Sequence, residues 1–549
     1  MKLILLSIVI FVYIFLLVAL LRLNPNNIST RYNFLLSTIE KLAKHRFLIS
    51  LLLFIIAICL VFLLNLGVAP IQMWDESRRA VNALEMAMNG NFIVTYFEGN
   101  PDMWGTKPPL LIWLIVLSMK IFGYNEFALR LPSALCAMMT AIIIFIFASK
   151  YLQDIKVALI GGLVLITSHG FIGYHTGRTG DYDALLVLWI TIYSLSYFIY
   201  LHSDEPKQQN FYWSIATVAI ILAVLTKGIA GILPLPGIIL YTAYQKKFGK
   251  LLFSSRFYIS LLIFIGAIFG YYFLREYYNP GYISSVLNNE VGGRYLETKE
   301  NNTHPFLFYI KNLINYRFIP WIYFLPVGLL ASIFSQKKNL KNLGIFGCFY
   351  LTCYLLIVSC AKTKLLWYDN PFYPIAALVI GIGGSEIFSQ LSNYFSLQGW
   401  KRQLIVALTI ISIFSIPYFH TTYNLVYQQE FLRFDKNSHP NRIMYRDYFQ
   451  EIFKELPQLK KFTAISSKYN AHLIFYSKLA NLTKSYSISY VVHYSQQNKN
   501  HKFSPQEVVV TCEEEMVQQL KQQYKLKLLH NHNFCSTLTI EKRLPYEYY

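Results

Sequence analysis

Apolar runs of membrane-spanning length recur along this chain from residue 3 to residue 420, separated by short polar or basic loops. They fall at 3–21, 47–68, 131–149, 156–172, 184–201, 211–227, 228–244, 258–274, 319–335, 343–361, 370–390 and 403–420, with a shorter run at 109–122. A helix needs roughly 20 apolar residues to cross hydrocarbon. The pattern therefore predicts a polytopic α-helical membrane protein with about 11–13 transmembrane helices. Beyond about 421 no spanning run remains, and the chain turns rich in Lys, Gln, Asn and Tyr. Segments 462–467, 472–476, 506–512 and 534–541 have strand composition, and Glu513 to Tyr524 has a helical one. These predict a small C-terminal α/β domain.

Composition supports the membrane reading. The chain is 55% hydrophobic and 14% charged, whereas soluble domains carry about 25% charged residues. The net charge of +20 points to a membrane surface rather than nucleic acid, because the basic residues sit in short loops where they set orientation and face anionic lipid. Three such loops read as cytoplasmic. One holds Arg22, Arg31, Lys41, Lys44 and Arg46; the others hold Lys246, Lys247 and Lys250, and Lys337, Lys338 and Lys341. This places 69–108, 173–183, 275–318 and the tail outside. Alternation breaks once. Two apolar runs separate the outer loop at 108 from an inner loop at 150, where an odd number is needed. Either 109–122 does not span, or Lys150 and Lys156 mislead.

The first run, 3–21, resembles a signal peptide in length, but Arg22-Leu23-Asn24-Pro25 follows it instead of a small-residue cleavage site, so it reads as a retained helix. The expected domains are thus 1–46 (an extra helix and a basic cytoplasmic loop), 47–420 (a membrane catalytic domain with outer loops 69–108 and 275–318) and 421–549 (an extracytoplasmic α/β domain). Of the seven cysteines, Cys59, Cys136, Cys348, Cys353 and Cys360 lie in apolar runs and read as small hydrophobes. Cys512 and Cys535 lie in the polar tail and can pair if that tail faces an oxidising compartment.

Candidate chemistry concentrates in loops expected on one face. The first outer loop reads Trp74-Asp75-Glu76-Ser77-Arg78-Arg79 and ends Thr106-Lys107-Pro108-Pro109. A helix starting near Asp75 puts Arg78 and Arg79 on its face. Ala80, Leu84 and Ala87, flanked by Val81 and Met88, form an apolar stripe that predicts an interfacial helix on the outer leaflet. Asp181 and Asp183 fall in the second outer segment, and Lys227 interrupts an apolar stretch on the same side. Glu290, Arg294 and His304 lie in the long outer loop, with Lys364 and Tyr368 in a later one. Carboxylates suit deprotonation of an acceptor hydroxyl. Cations suit a phosphate that gains charge as it leaves. A bland reading exists for each: a surface salt-bridge helix at Asp75, a snorkelling Lys107, a dipole-complementing Asp183.

At these residues the chain resembles the GT-C membrane glycosyltransferases of the protein O-mannosyltransferase superfamily, and within it the bacterial branch with the lipid A aminoarabinose transferases. The matching pieces are Asp75-Glu76-x-Arg78, Thr106-Lys107-Pro108-Pro109-Leu110, Phe122-Gly123-x-Asn125-Glu126-Phe127-Ala128-x-Arg130-Leu131-Pro132-Ser133-Ala134, Gly177-Arg178-x-x-x-x-Asp183, Leu225-Thr226-Lys227-Gly228 and Tyr368-x-x-Pro371-x-Tyr373-Pro374.

The resemblance implies transfer of a sugar from a polyprenyl-phosphate donor to a lipid, glycan or protein acceptor on the non-cytoplasmic face of a bacterial inner membrane. It implies catalytic roles for Asp75 and Asp183 and donor-phosphate binding by Lys107, Arg78, Arg294 and Lys227. Glu76, Asp181, Glu290, Lys364 and Tyr368 are further candidates for substrate contact. The resemblance leaves a divalent metal open as a cofactor, but where that branch carries a glutamate and a histidine resembling metal ligands, this chain has Thr106 and Asn289. The competing readings are a polymerase, ligase or flippase for lipid-linked glycans, and a scaffold whose tail binds a partner.

Overall fold

The computed structural model describes residues 46–290, 303–394, 399–427, 443–494 and 502–544. The run at 3–21 and Arg294 lie outside these residues. Among the described residues, six helices are long and apolar enough to cross a membrane: Glu126–Tyr151, Tyr182–His202, Pro206–Ile232, Ser255–Tyr278, Lys338–Cys360 and Phe372–Gln390. Phe308–Arg317 and Trp321–Ile333 form a bent pair, and four shorter apolar helices join them. The chain is a multi-pass membrane protein. Its helices pack through small residues, as expected where apolar burial alone gives no preference for protein over lipid. A Cβ on Gly381 would lie 2.8 Å from the Val157 carbonyl oxygen, and one on Gly161 would lie 3.0 Å from that of Ala377. The Ile155–Ile166 and Phe372–Tyr394 helices therefore meet backbone to backbone.

The break in alternation has a structural cause. The Leu110–Phe122 helix has 13 residues, too few to cross hydrocarbon. Glu126, just past its end, accepts a hydrogen bond from Tyr476 in the tail at 2.6 Å. Trp113, Leu117 and Ile121, four residues apart, form its exposed stripe. Asp154 and Lys337 pair at 3.1 Å at the opposite end of the bundle, consistent with the side assigned to Lys150 and Lys156.

The expectation of a leaflet-lying helix at 75–89 is corrected. Ala80, Val81 and Leu84 of the Asp75–Asn89 helix are fully buried, covered by Leu110–Phe122 and by the tail helix Ala471–Thr483.

The tail holds a five-stranded sheet. In chain order after the short hairpin β1 (Tyr96–Phe97) and β2 (Asn100–Pro101), its strands are β3 (Lys461–Ile465), β4 (Ser487–Val491), β5 (Val508–Thr511), β6 (Tyr524–His532) and β7 (Cys535–Arg543). The order is β4-β3-β5-β7-β6. β3 runs parallel to β4 and β5, and β7 runs antiparallel to β5 and β6. The first parallel pair needs a crossover, which the Ala471–Thr483 helix supplies. The strand expected at 472–476 lies inside that helix. Asn470 caps it by accepting the Leu473 N–H, and the apolar run packs its face inward, so capping and burial override strand composition. Cys512 and Cys535 form a disulfide between the end of β5 and the start of β7.

The tail docks on the first loop. His472 Nδ1 lies 3.0 Å from the Ile71 carbonyl oxygen, Lys478 pairs with Glu85 at 3.2 Å, and Tyr469 stacks on Trp74 with centroids 5.1 Å apart.

Candidate active site

The first loop is held by two buried ionic clamps. In one, Arg130 donates to Glu76 Oε1 at 2.7 Å and Oε2 at 2.9 Å, and to the carbonyls of Leu66, Ala69 and Pro70. Glu76 also accepts the N–H groups of Gln72 and Gly180. It therefore ties the Asp75–Asn89 helix to the 173–181 turn. Both of its oxygens are spent within the protein and its side chain is buried. In this arrangement Glu76 braces the helix against the turn.

In the other clamp, Asp102 accepts Arg78 Nε at 3.0 Å, Asn82 Nδ2, and the N–H groups of Trp104 and Gly105. Burial pushes the Asp102 carboxyl up, but the Arg78 pair and these N–H bonds hold it below the usual carboxylate range. Arg78 also lies over the Phe97 ring. Its guanidinium thus shapes the 102–107 turn that presents Lys107.

Between the clamps stands an acid cluster. Asp75, its side chain 39% exposed, accepts Arg79 at 3.0 Å. The Arg79 guanidinium lies over the Tyr182 ring. Asp183 is buried and takes Lys227 on both oxygens, at 2.6 and 2.7 Å. The charges of Asp75 and Lys107 both reach Asp183, and those of Asp75, Arg79, Glu76 and Asp183 reach Asp181. Lys227 lies 5.5 Å from the Tyr368 ring centre. Asp75, Lys107, Asp181, Asp183, Lys227 and Tyr368 therefore form one neighbourhood. Lys364 is buried and donates to the Ala361 carbonyl at 2.6 Å.

The 173–181 turn is fixed from below. Arg178 donates to the carbonyls of Val61 and Leu64 at the end of the Arg46–Phe62 helix. A Cβ on Gly177 would fall 2.3 Å from the Phe62 ring, so the turn needs glycine there. Arg317 secures the later loop through Asp369, Asn370 and the Gly170 carbonyl, while Asn370 donates to Thr176. This turn carries His175, which motif reasoning passed over. Its imidazole lies between Asp75 and Asp181, 3.6 and 3.4 Å away, and stacks on Trp367 with centroids 3.5 Å apart. Its only sequence signal is its place two residues before Gly177-Arg178.

The donor set at 106 and 290 does not suit the metal that the resemblance raises. Thr106 Oγ1 donates to Glu290 Oε1 at 2.6 Å, and Lys107 Nζ lies 3.4 Å from the same oxygen. The carboxylate already faces an ammonium. Among the described residues no three His, Cys, Asp or Glu side chains converge as a metal site would require.

Residues 106–272 match the family model for dolichyl-phosphate-mannose-protein mannosyltransferases. A protein from Aquifex aeolicus is 25% identical over 68% of this chain and 74% of its own. The undecaprenyl phosphate-alpha-4-amino-4-deoxy-L-arabinose arabinosyl transferase 2 of Proteus mirabilis is 28% identical over 56% of this chain. That match spans 55% of the Proteus protein, little more than half its length. Among solved structures, ArnT from Cupriavidus metallidurans bound to undecaprenyl phosphate superposes with a TM-score of 0.68 at 15% identity, covering 89% of this chain and 97% of that one. The chain thus has the GT-C membrane glycosyltransferase fold and resembles the aminoarabinose transferases among its members.

Proposed function

We propose that this protein transfers a sugar from a polyprenyl-phosphate donor to an acceptor hydroxyl or amine on the non-cytoplasmic face of the membrane. The observation that carries this reading is the setting of Asp75. It is the solvent-reached carboxylate of an otherwise buried acid cluster, at the end of the bundle where Lys107 also sits. An ionised carboxylate there takes the acceptor proton. The acceptor oxygen or nitrogen attacks the anomeric carbon from the face opposite the lipid phosphate, so the configuration inverts. The bond from that carbon to the phosphate oxygen breaks, and its electron pair leaves with the phosphate.

Lys107 stabilises the charge that develops on this leaving group. Glu290 holds the Lys107 ammonium in place until the donor phosphate competes for it. The Lys227–Asp183 pair, in which both carboxylate oxygens accept from the lysine, braces the floor of the site and so positions the substrate. Arg78 acts through Asp102, and the proposal gives no part to Glu76. The basic residues of the loops at 246–250 and 337–341 support placing the site on the non-cytoplasmic face. A flippase would move lipid-linked sugar without needing a base.

The test is mass spectrometry of envelope lipids and glycans from cells lacking the gene, complemented with wild type or with Asp75→Asn. A glycoside restored by wild type and not by the folded variant supports the reading. Restoration by both refutes it.

A further inference from the structure

The acid cluster contains one imidazole with no assigned part. His175 is buried between two carboxylates. Its Nε2 lies 3.6 Å from Asp75 Oδ2 and its Nδ1 lies 3.4 Å from Asp181 Oδ2. The Trp367 stack fixes the plane of the ring. The backbone is held at φ 62°, a left-handed conformation that costs a non-glycine residue energy and recurs at functional sites. Trp74, the residue before Asp75, has φ 67°, so strained backbone flanks the Asp75–His175 contact on both sides.

Asp181 Oδ2 is buried and makes no hydrogen bond among the described residues. An ionised oxygen left in that state is costly. A carboxyl O–H aimed at Nδ1 removes the cost.

We propose that His175 is a positioning residue for Asp75: a neutral imidazole whose Nε2–H faces the Asp75 carboxylate at 3.6 Å and closes on it when substrate binds, with Nδ1 facing a proton held on Asp181. The inference rests on the transfer reading above and deepens it. The charges facing the imidazole are Asp75, Asp181, Arg79, Lys227 and Arg317. Burial holds its pKa down to about 3, against the pull of Asp75, so it stays neutral. Burial and the neighbouring Asp75 push the Asp181 carboxyl well above the usual range, and Arg79 offsets this only in part.

The arrangement inverts the familiar acid–histidine logic. There the buried carboxylate is ionised and accepts from Nδ1–H, and its replacement by Asn leaves the wrong tautomer, with a loss of about 10⁴ in kcat. Here an Asn at 181 can donate its amide N–H to Nδ1 and keep the tautomer.

The test measures rate against pH in membranes carrying wild type, H175N, D181N, D181L or D75N. It uses the membrane's own lipid-linked donors and acceptors and reads released polyprenyl phosphate. Asn suits the left-handed position but is too short to bridge the two acids. H175N is expected to lower kcat by about tenfold or more with the donor KM within about twofold. D181L should match it. D181N should lower kcat by less than about tenfold, because its amide N–H keeps the tautomer that a protonated Asp181 sets.

A loss in D181N as large as in D181L overturns the proposal by showing an ionised Asp181. H175N with the wild-type kcat and pH profile overturns it as well, while leaving the transfer reading intact. D75N transferring at the wild-type rate overturns the transfer reading itself, and with it the group that His175 is said to orient.

Discussion

Replacing Glu76 with Gln separates a brace from a catalytic carboxylate. All four groups facing Glu76 are donors: Arg130 Nε and Nη2 and the backbone N–H groups of Gln72 and Gly180, at 2.7 to 2.9 Å. Two meet each oxygen. Whichever way the Gln amide is turned, its NH₂ faces two N–H groups and loses two hydrogen bonds. The Arg130 charge, wholly buried, loses its counter-ion. Breaking a buried pair from one side costs about 3–5 kcal/mol.

E76Q should therefore lower the thermal unfolding midpoint in detergent by several degrees and lose transfer activity in proportion to the folded fraction. Adding R130M removes the stranded charge, so the double variant should be destabilised by less than the sum of the two single changes, with a coupling of roughly 1–3 kcal/mol. An E76Q protein with the wild-type midpoint but no activity would refute the bracing account and return Glu76 to the substrate.

Lys107 and Glu290 face each other at 3.4 Å with side chains 10% and 15% exposed. Glu290 competes with the donor phosphate for the Lys107 ammonium, so E290Q should lower the donor KM, whereas K107M should raise it; donor-saturation kinetics check both. His472 is buried at the tail interface. Its Nδ1 faces the Ile71 carbonyl and its Nε2 accepts the Arg446 N–H, and burial lowers its pKa from 6.5 to about 3. An undocked His472 takes up a proton that the docked one refuses, so docking is at full strength above pH 6.5 and weakens as pH falls from there toward 3. Hydrogen exchange in the Ala471–Thr483 helix should quicken from pH about 7 to about 5 in wild type and lose that dependence in H472N.

Membrane spans and the sheet-bearing tail were legible because hydrophobic runs and strand composition are local signals. The non-crossing helix at 110–122 showed only as a failure of alternation, since its length forbids spanning but does not say where it lies. The helix at 471–483 was hidden because His472-Leu473-Ile474-Phe475-Tyr476 has strand composition, and its fate was decided by the Asn470 cap and by burial against the first loop. Asp75, Lys107, Asp183 and Lys227 could be named from charge beside apolar runs. Their partners could not. Arg78 is spent on Asp102, 24 residues away, and Glu76 on Arg130, 54 away. His175 had no signal beyond its place two residues before Gly177-Arg178, because only the fold of the 173–181 turn carries it between two acids.

The central claim is that Asp75 is the base of a sugar transfer from lipid phosphate. It is tested most directly by initial rates of polyprenyl-phosphate release and glycoside formation in membranes carrying wild type or Asp75→Asn at matched folded amounts. The account predicts that both products appear together in wild type and fall about a hundredfold or more in the variant, with the donor still bound. Release and glycoside formation at the wild-type rate in Asp75→Asn would contradict it.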